Sequence, residues 1–264
     1  GSPDAAPSNR TLAYPTGIWT DGTKLVVLDS DNNRALVWNS FPASSFAPAD
    51  LVLGQSDFTG NTANDDNQDG TPEASATART LSFPYDGVDS DGTRLAIADS
   101  DNHRVLIWRE TPTGPDHEAD IILGQPDAHS ALANLGLSHA RADTMHWPYG
   151  VSADGNRLIV CDTGNRRVLI WDDPQTTGQP ADLVLGQHDF TCRDENAGGA
   201  VSDVSMRWPH MAIVWQGGLA VADAGNNRVM IWDAFPGQNG TQCDTVLGQA
   251  DMTACDHNMA SYYP

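Results

Sequence analysis

The chain has 264 residues, 28.2 kDa, enough for one large domain or two small ones, and its 24 Gly and 16 Pro suit short strands joined by turns better than a helical bundle. A formal charge of −21 and a pI near 4.3 make nucleic acid and anionic lipid poor partners, because the surface repels phosphates. Lys24 is the one lysine, so lysine chemistry would have to sit there, and no apolar run approaches the roughly 18 residues that span a bilayer.

In chain order, Gly1-Ser2 reads as an expression scar, and residues 1–11 as a flexible lead-in. A single domain over 12–264 then divides into repeats at about 12–82, 83–146, 147–207 and 208–264. Each unit opens at a proline (Pro15, Pro84, Pro148, Pro209) and holds four apolar, β-branched runs. A Gly-containing turn follows the first run, an Asp-x-x-Asn-x-Arg turn follows the second, and a Val-Leu-Gly-Gln or Ile-Leu-Gly-Gln run closes the unit. Four-stranded units in tandem predict an all-β fold, a β-propeller of four blades with four antiparallel strands each and strand one nearest the axis. The closing Ser261-Tyr262-Tyr263-Pro264 matches the start of a further unit. Either the chain is a piece of a longer array, or Tyr262 to Pro264 help to close a compact four-bladed ring, the arrangement favoured here.

The Asp-x-x-Asn-x-Arg turn, the apolar strand after it and the proline-led strand before it resemble NHL repeats, in a bacterial variety with the Val-Leu-Gly-Gln fourth strand. That resemblance covers the chain from Leu12 onward and implies a propeller. It leaves function open, because the family includes interaction scaffolds, lyases and hydrolases.

Asp29, Asp99, Asp162 and Asp223 recur at one position, with Asn32, Asn102, Asn165 and Asn226 three residues on and Arg34, Arg104, Arg167 and Arg228 two beyond. Fourfold recurrence marks a scaffold: Asx side chains cap the turn, and the Arg fork is expected to bind the carboxylate bidentately. Trp38, Trp108, Trp171 and Trp232 read as packing between blades. Gln55, Gln125, Gln187 and Gln249, then Asp57, Asp127, Asp189 and Asp251, each with an Asn seven residues after the Asp (Asn64, Asn134, Asn196, Asn258), read as ties for a long loop.

Function is sought where the units differ. The residue after the strand-one proline is Thr16, Tyr85, Tyr149 or His210; the NHL resemblance implies that this position lies near the mouth of the central channel, which makes these the candidate ligand-binding residues. Peptidyl-hydroxyglycine lyases, which resemble this repeat, place zinc-binding histidines after a comparable proline. Pro209-His210 matches, but the other units do not, and a catalytic zinc needs about three protein ligands. His146 is a second histidine near that rim. Asp65, Asn67 and Asp69 before Gly70 form an incomplete calcium-loop pattern, lacking the Glu of an EF-hand where Ala76 stands. Calcium is the first candidate cofactor and a transition metal the second. Cys161 reads as a buried core residue, and one disulfide is expected among Cys192, Cys243 and Cys255. Acidity, scarce lysine and loop cysteines point to a periplasmic or extracellular protein. The reading is a monomeric module that binds a small molecule or protein, with no nucleic-acid partner and no membrane insertion. The alternative is a metal-dependent lyase or hydrolase at the channel near His210.

Overall fold

Each repeat folds into one antiparallel sheet in which chain order is also sheet order. Blade one contains β1 (Pro15–Thr20), β2 (Leu25–Asp29), β3 (Arg34–Trp38) and β4 (Leu51–Leu53). Blade two contains β5 (Val88–Ser90), β6 (Leu95–Asp99), β7 (Arg104–Trp108) and β8 (Ile121–Leu123). Blade three contains β9 (Pro148–Asp154), β10 (Arg157–Asp162), β11 (Arg167–Trp171) and β12 (Leu183–Leu185). Blade four contains β13 (Pro209–Trp215), β14 (Gly218–Asp223), β15 (Arg228–Trp232) and β16 (Thr245–Leu247). The computed structural model describes residues 6–73 and 75–258, so Gly1-Ser2 and Tyr262 to Pro264 lie outside the described residues. The chain is an all-β, four-bladed β-propeller.

The middle strands are apolar on both faces because each blade is covered on both sides, as in a sheet sandwiched by its neighbours. Period-two alternation sends Leu28, Val37 and Leu53 of blade one toward Ile97, Leu106 and Trp108 of blade two, in one buried cluster. Blade two meets blade three through Ala98, Ile107 and Leu123 against Val160, Leu169 and Trp171. Blade three meets blade four through Cys161, Ile170 and Leu185 against Val221, Met230 and Trp232. The four tryptophans are buried, and each indole N–H donates to a carbonyl of the long connection that follows: Ala47, His117, Gln179 and Thr241. No core cluster of described residues joins blade four to blade one; blade one's remaining apolar face forms its own cluster around Leu36 and Trp38.

First strands of successive blades pack against one another, β1 on β5, β5 on β9 and β9 on β13, so strand one is innermost. A Cβ on Gly17, Gly87 or Gly150 would collide with the carbonyl of Asp86, Tyr149 or His210 of the next blade, and glycine there permits that approach. A hydroxyl clamps the same place: Ser30, Ser100 and Thr163 donate to the carbonyls of Pro84, Pro148 and Pro209 at 2.6–2.7 Å.

The recurrent Asp, Asn and Arg form four fully enclosed clusters. Each Arg Nε donates to its Asp Oδ2 at 2.7–2.9 Å, and the Asn amide donates to the same oxygen at 2.7–2.8 Å. The bidentate fork expected from sequence does not form. The other carboxylate oxygen instead accepts the backbone N–H of Ala13, Ser82, His146 or Arg207 at 2.5–2.7 Å, and the Arg terminal nitrogens bond carbonyls of two surrounding loops. A backbone amide outcompetes the second fork contact because it would otherwise be buried without an acceptor. The loop ties are of three kinds. Gln55, Gln125, Gln187 and Gln249 each donate to the carbonyl seven residues on, that of Thr62, Leu132, Asp194 or Asp256. Asp57, Asp127, Asp189 and Asp251 each accept backbone N–H groups two and three residues on, as Asx turns. Asn64 exchanges two hydrogen bonds with Asn102, and Asn134 with Asn165, all at 2.9 Å; Asn196 accepts from Asn226 at 2.8 Å. These amides reach into the next blade.

The expected disulfide is absent: all four cysteines are free. Cys243, read as a loop residue, is buried in the cluster between blades three and four beside Met252, away from the surface where Cys255 lies. Cys161 is fully buried, and burial pushes its thiol well above the ordinary range. Among the described residues no helix is long and apolar enough to cross a membrane.

Breaking one cluster should be costly, because it strands a carboxylate. Arg104→Met should lower unfolding free energy by about 3–5 kcal/mol, the usual effect of removing one partner from a buried pair. The exposed Arg141→Met should stay within about 0.5 kcal/mol; urea unfolding of both variants makes the comparison.

Candidate functional site

In every blade the residue before the strand-one proline is aromatic and left-handed: Tyr14, Phe83, Trp147 and Trp208 have φ of 52°, 45°, 48° and 61°. Bulky residues avoid this region, and residues before proline avoid helical conformations generally. Three neighbouring bonds impose it. The Asp carboxylate holds the N–H just before the aromatic residue in all four blades, the clamp hydroxyl of the previous blade holds the carbonyl of the proline after it in blades two to four, and in two blades the aromatic N–H is itself held from the previous blade. Phe83 N–H donates to Asn33 Oδ1 at 2.8 Å, and Trp147 N–H to His103 Nδ1 at 3.2 Å. The strain turns these rings outward at one end of the axis, where Tyr14, Trp147 and Trp208 are about half exposed.

The residues after the prolines meet them there. Tyr85 and Tyr149 have ring centroids 4.6 Å apart, Tyr149 and His210 stand 5.2 Å apart edge to face, and Tyr14 and Phe83 stack on Tyr85 at 6.4 and 5.7 Å. His146 stacks on Trp147 at 5.0 Å and meets His103 edge-on at 5.3 Å. Tyr85, Tyr149 and His210 share a cavity of about 400 Å³ with His146, Trp147, Trp208 and Arg166. Thr16 stands apart: its hydroxyl bonds that of Ser30 at 2.7 Å and accepts the Asp86 N–H at 3.2 Å, so it belongs to the seam between blades one and two.

The cavity is a low-dielectric place with few charges. Burial, helped by a hydrogen bond with Tyr14, pushes the Tyr85 phenol up to about 12, and burial also raises Tyr149. Burial holds His103 down at about 4, with the facing His146 adding to it, and burial likewise lowers His146. Nearby, burial raises the Asp86 carboxyl against the opposing pull of His210. The Nε of Arg166 and Nδ1 of His146 are buried without a hydrogen-bond partner. The site therefore offers aromatic faces for a planar or apolar group and a small polar set for orientation. His103, Arg166, Trp147 and Trp208 were not singled out as candidates from sequence. The signal was present, in the aromatic before each proline and in the variable residue before each Arg, which is Asn33, His103, Arg166 or Asn227.

Asp65, Asn67 and Asp69 fold back on their own turn. Asp65 accepts the N–H groups of Asp69 and Gly70, Asn67 accepts that of Asp69, and Asp69 accepts that of Thr71. Those bonds occupy oxygens that a cation would need. Among the described residues, no group of three or more His, Cys, Asp or Glu side chains is placed to hold a metal ion, His210 and His146 included.

No protein-family model matches this chain, and no curated protein does. Solved structures similar to it include a nidogen/laminin complex (16% identity, 93% of this chain and 67% of that one, TM-score 0.48). Others are Myxococcus xanthus glutaminyl cyclase (10% identity, 86% and 68%, TM-score 0.44) and the RRP9 WD40 repeats (13% identity, 86% and 52%, TM-score 0.48). The chain spans about half of the RRP9 chain. At these identities the likeness concerns fold alone.

His103 gives a pH test. Its folded value is depressed, so its contribution to stability is complete above about 6.5 and is lost as pH falls toward 4. Between pH 7 and 5 this one group should cost about 1–2 kcal/mol. His103→Asn supplies the amide acceptor that Asn33 uses in blade one and cannot protonate there, so the variant's stability should fall less over that range, and the wild-type minus variant difference should drop by about 1–2 kcal/mol from pH 7 to 5 in urea melts.

Proposed function

We propose that the chain is a non-catalytic binding module whose ligand, a small molecule or a side chain of a partner protein, enters the aromatic cavity at the channel mouth. The observation that carries this reading is the cavity itself: about 400 Å³, within the range of small-molecule sites, and placed where the fourfold pattern of Thr16, Tyr85, Tyr149 and His210 breaks. The repeated Asp and Arg of the turns are already consumed in the buried clusters, which leaves the aromatics at the channel mouth to select a ligand. The repeats are read as NHL-like, and acidity with a single lysine supports an exported, periplasmic or extracellular, setting. The competing reading, a metal-dependent lyase or hydrolase near His210, lacks a ligand set among the described residues. Calcium at Asp65, Asn67 and Asp69 is the remaining cofactor proposal.

Screening soluble metabolites and short peptides by quenching of tryptophan fluorescence tests the module, because Trp147 and Trp208 stand at the cavity. A true ligand should lose at least about tenfold in affinity, 1.4 kcal/mol, in Tyr149→Leu and in Trp208→Leu while melting temperatures hold. Binding indifferent to both variants, or stoichiometric metal that is lost in His210→Ala, would overturn the reading.

A further inference from the structure

Blade two carries an inserted residue at the channel mouth. Pro15-Thr16-Gly17 and Pro148-Tyr149-Gly150 place one residue between proline and glycine, whereas Pro84-Tyr85-Asp86-Gly87 places two, and the extra one is a carboxylate. Asp86 takes up left-handed backbone at φ 57°, a region most side chains avoid. Its N–H donates to Thr16 Oγ1 at 3.2 Å, and the Thr16 hydroxyl is itself tied to Ser30 at 2.7 Å. The Gly87 N–H donates to the Tyr85 carbonyl at 2.6 Å and closes a tight turn around the insertion. Thr16, drawn into the seam, thus holds Asp86 in place.

The carboxylate so held is half-buried, and among the described residues it accepts no hydrogen bond and joins no ion pair. Asp89, three residues on and also half-buried, accepts the N–H groups of Ser90 and Ala153 at 2.8 Å. A carboxylate withdrawn from water without such donors is costly, and the strained turn adds to that cost. Asp86 acts on the phenols of Tyr85 and Tyr149 and is drawn on by His210, and all three line the cavity of about 400 Å³. Asp101 adds a second negative charge beside Tyr149.

The walls of the cavity suit a positive group. The rings of Tyr85 and Tyr149 stand at 53° to each other, and those of Tyr149 and His210 at 86°, so they bound a volume instead of forming one flat platform. Trp147 and Trp208 complete the lining, and such rings attract a cation over their faces. Burial keeps His146 uncharged at neutral pH. Arg166 is engaged elsewhere: its Nη1 donates to the carbonyls of Gly164 and Arg193 at 2.9 and 3.4 Å, its Nη2 lies 3.8 Å from Glu195, and its Nε is buried. A primary ammonium would need three acceptors in this largely aromatic place. A fully methylated one needs none, and gains from the rings and the counter-charge.

Resting on the binding reading above, we propose that the ligand presents a quaternary ammonium group, seated among Tyr85, Tyr149, Trp147 and Trp208 with Asp86 as its counter-charge. A free choline-like molecule and a trimethylated lysine side chain of a partner protein both supply that chemistry.

Calorimetry and tryptophan fluorescence on the whole chain test the charge, with choline as one probe and its uncharged tert-butyl analogue, carbon in place of nitrogen, as the other. Choline should bind at least about tenfold more tightly than the analogue. Asp86→Asn should remove most of that preference without weakening the analogue or lowering the melting temperature. The comparison of probes on the unaltered chain needs no variant to fold. A short peptide carrying trimethyllysine separates the sources: tighter binding than choline assigns the group to a partner protein, weaker binding to a small molecule. No choline binding at millimolar concentration, equal affinity for the two probes, or a preference that survives Asp86→Asn would overturn the inference. Equal affinities that both fall in Tyr149→Leu would do so while leaving the aromatic binding cavity itself standing.

Discussion

The fold hangs on a carboxylate buried four times over. Asp29, Asp99, Asp162 and Asp223 are withdrawn from water, and each is accepted only because an Arg, an Asn and a backbone N–H converge on it. Burying a charge without such partners costs several kcal/mol. The Arg then does a second job, since its terminal nitrogens hold carbonyls from the loop before strand one and the loop after strand four. One cluster thus fixes a blade's turn and both of its connections. A propeller otherwise lacks local means to do this, because its blades meet mainly through non-directional apolar contact.

The same cluster creates the site. By holding the N–H before the aromatic residue, Asp162 and Asp223 press Trp147 and Trp208 into left-handed backbone and leave their rings about half exposed at one end of the axis. The strained aromatics cost free energy where they stand, and the buried clusters offset it. What varies from blade to blade is then free to serve binding: Tyr85, Tyr149, His210, His103 and Arg166 differ at repeated positions while the scaffold beneath them does not.

The blades were legible in the sequence because repetition at about sixty residues and β-branched runs between Gly and Asx turns both point to one architecture. The Asp-Asn-Arg association was legible from its spacing, but its geometry was not, since the competing backbone amides come from residues 16 or 17 positions away. Thr16 was grouped with Tyr85 by position alone; its short hydroxyl instead finds Ser30 and stays in the seam. Blade two also departs from the simple pattern. Asp86, with φ 57°, precedes Gly87, and β5 shortens to Val88–Ser90, a local backbone event no periodicity reveals. Cys243 could not be placed in a seam from its neighbours Gln242 and Asp244, which are polar and exposed around it.

Residue-level hydrogen exchange tests the central role of the clusters most directly. The N–H groups of Ala13, Ser82, His146 and Arg207 lie in connecting loops, and loop amides ordinarily exchange by small local openings. Bonded to the buried carboxylates, they should instead exchange only with global unfolding, as slowly as the amides of β6 and β10. Exchange of Ser82 or His146 at rates typical of the surrounding loop would contradict the account and leave the apolar seams to hold the blades unaided.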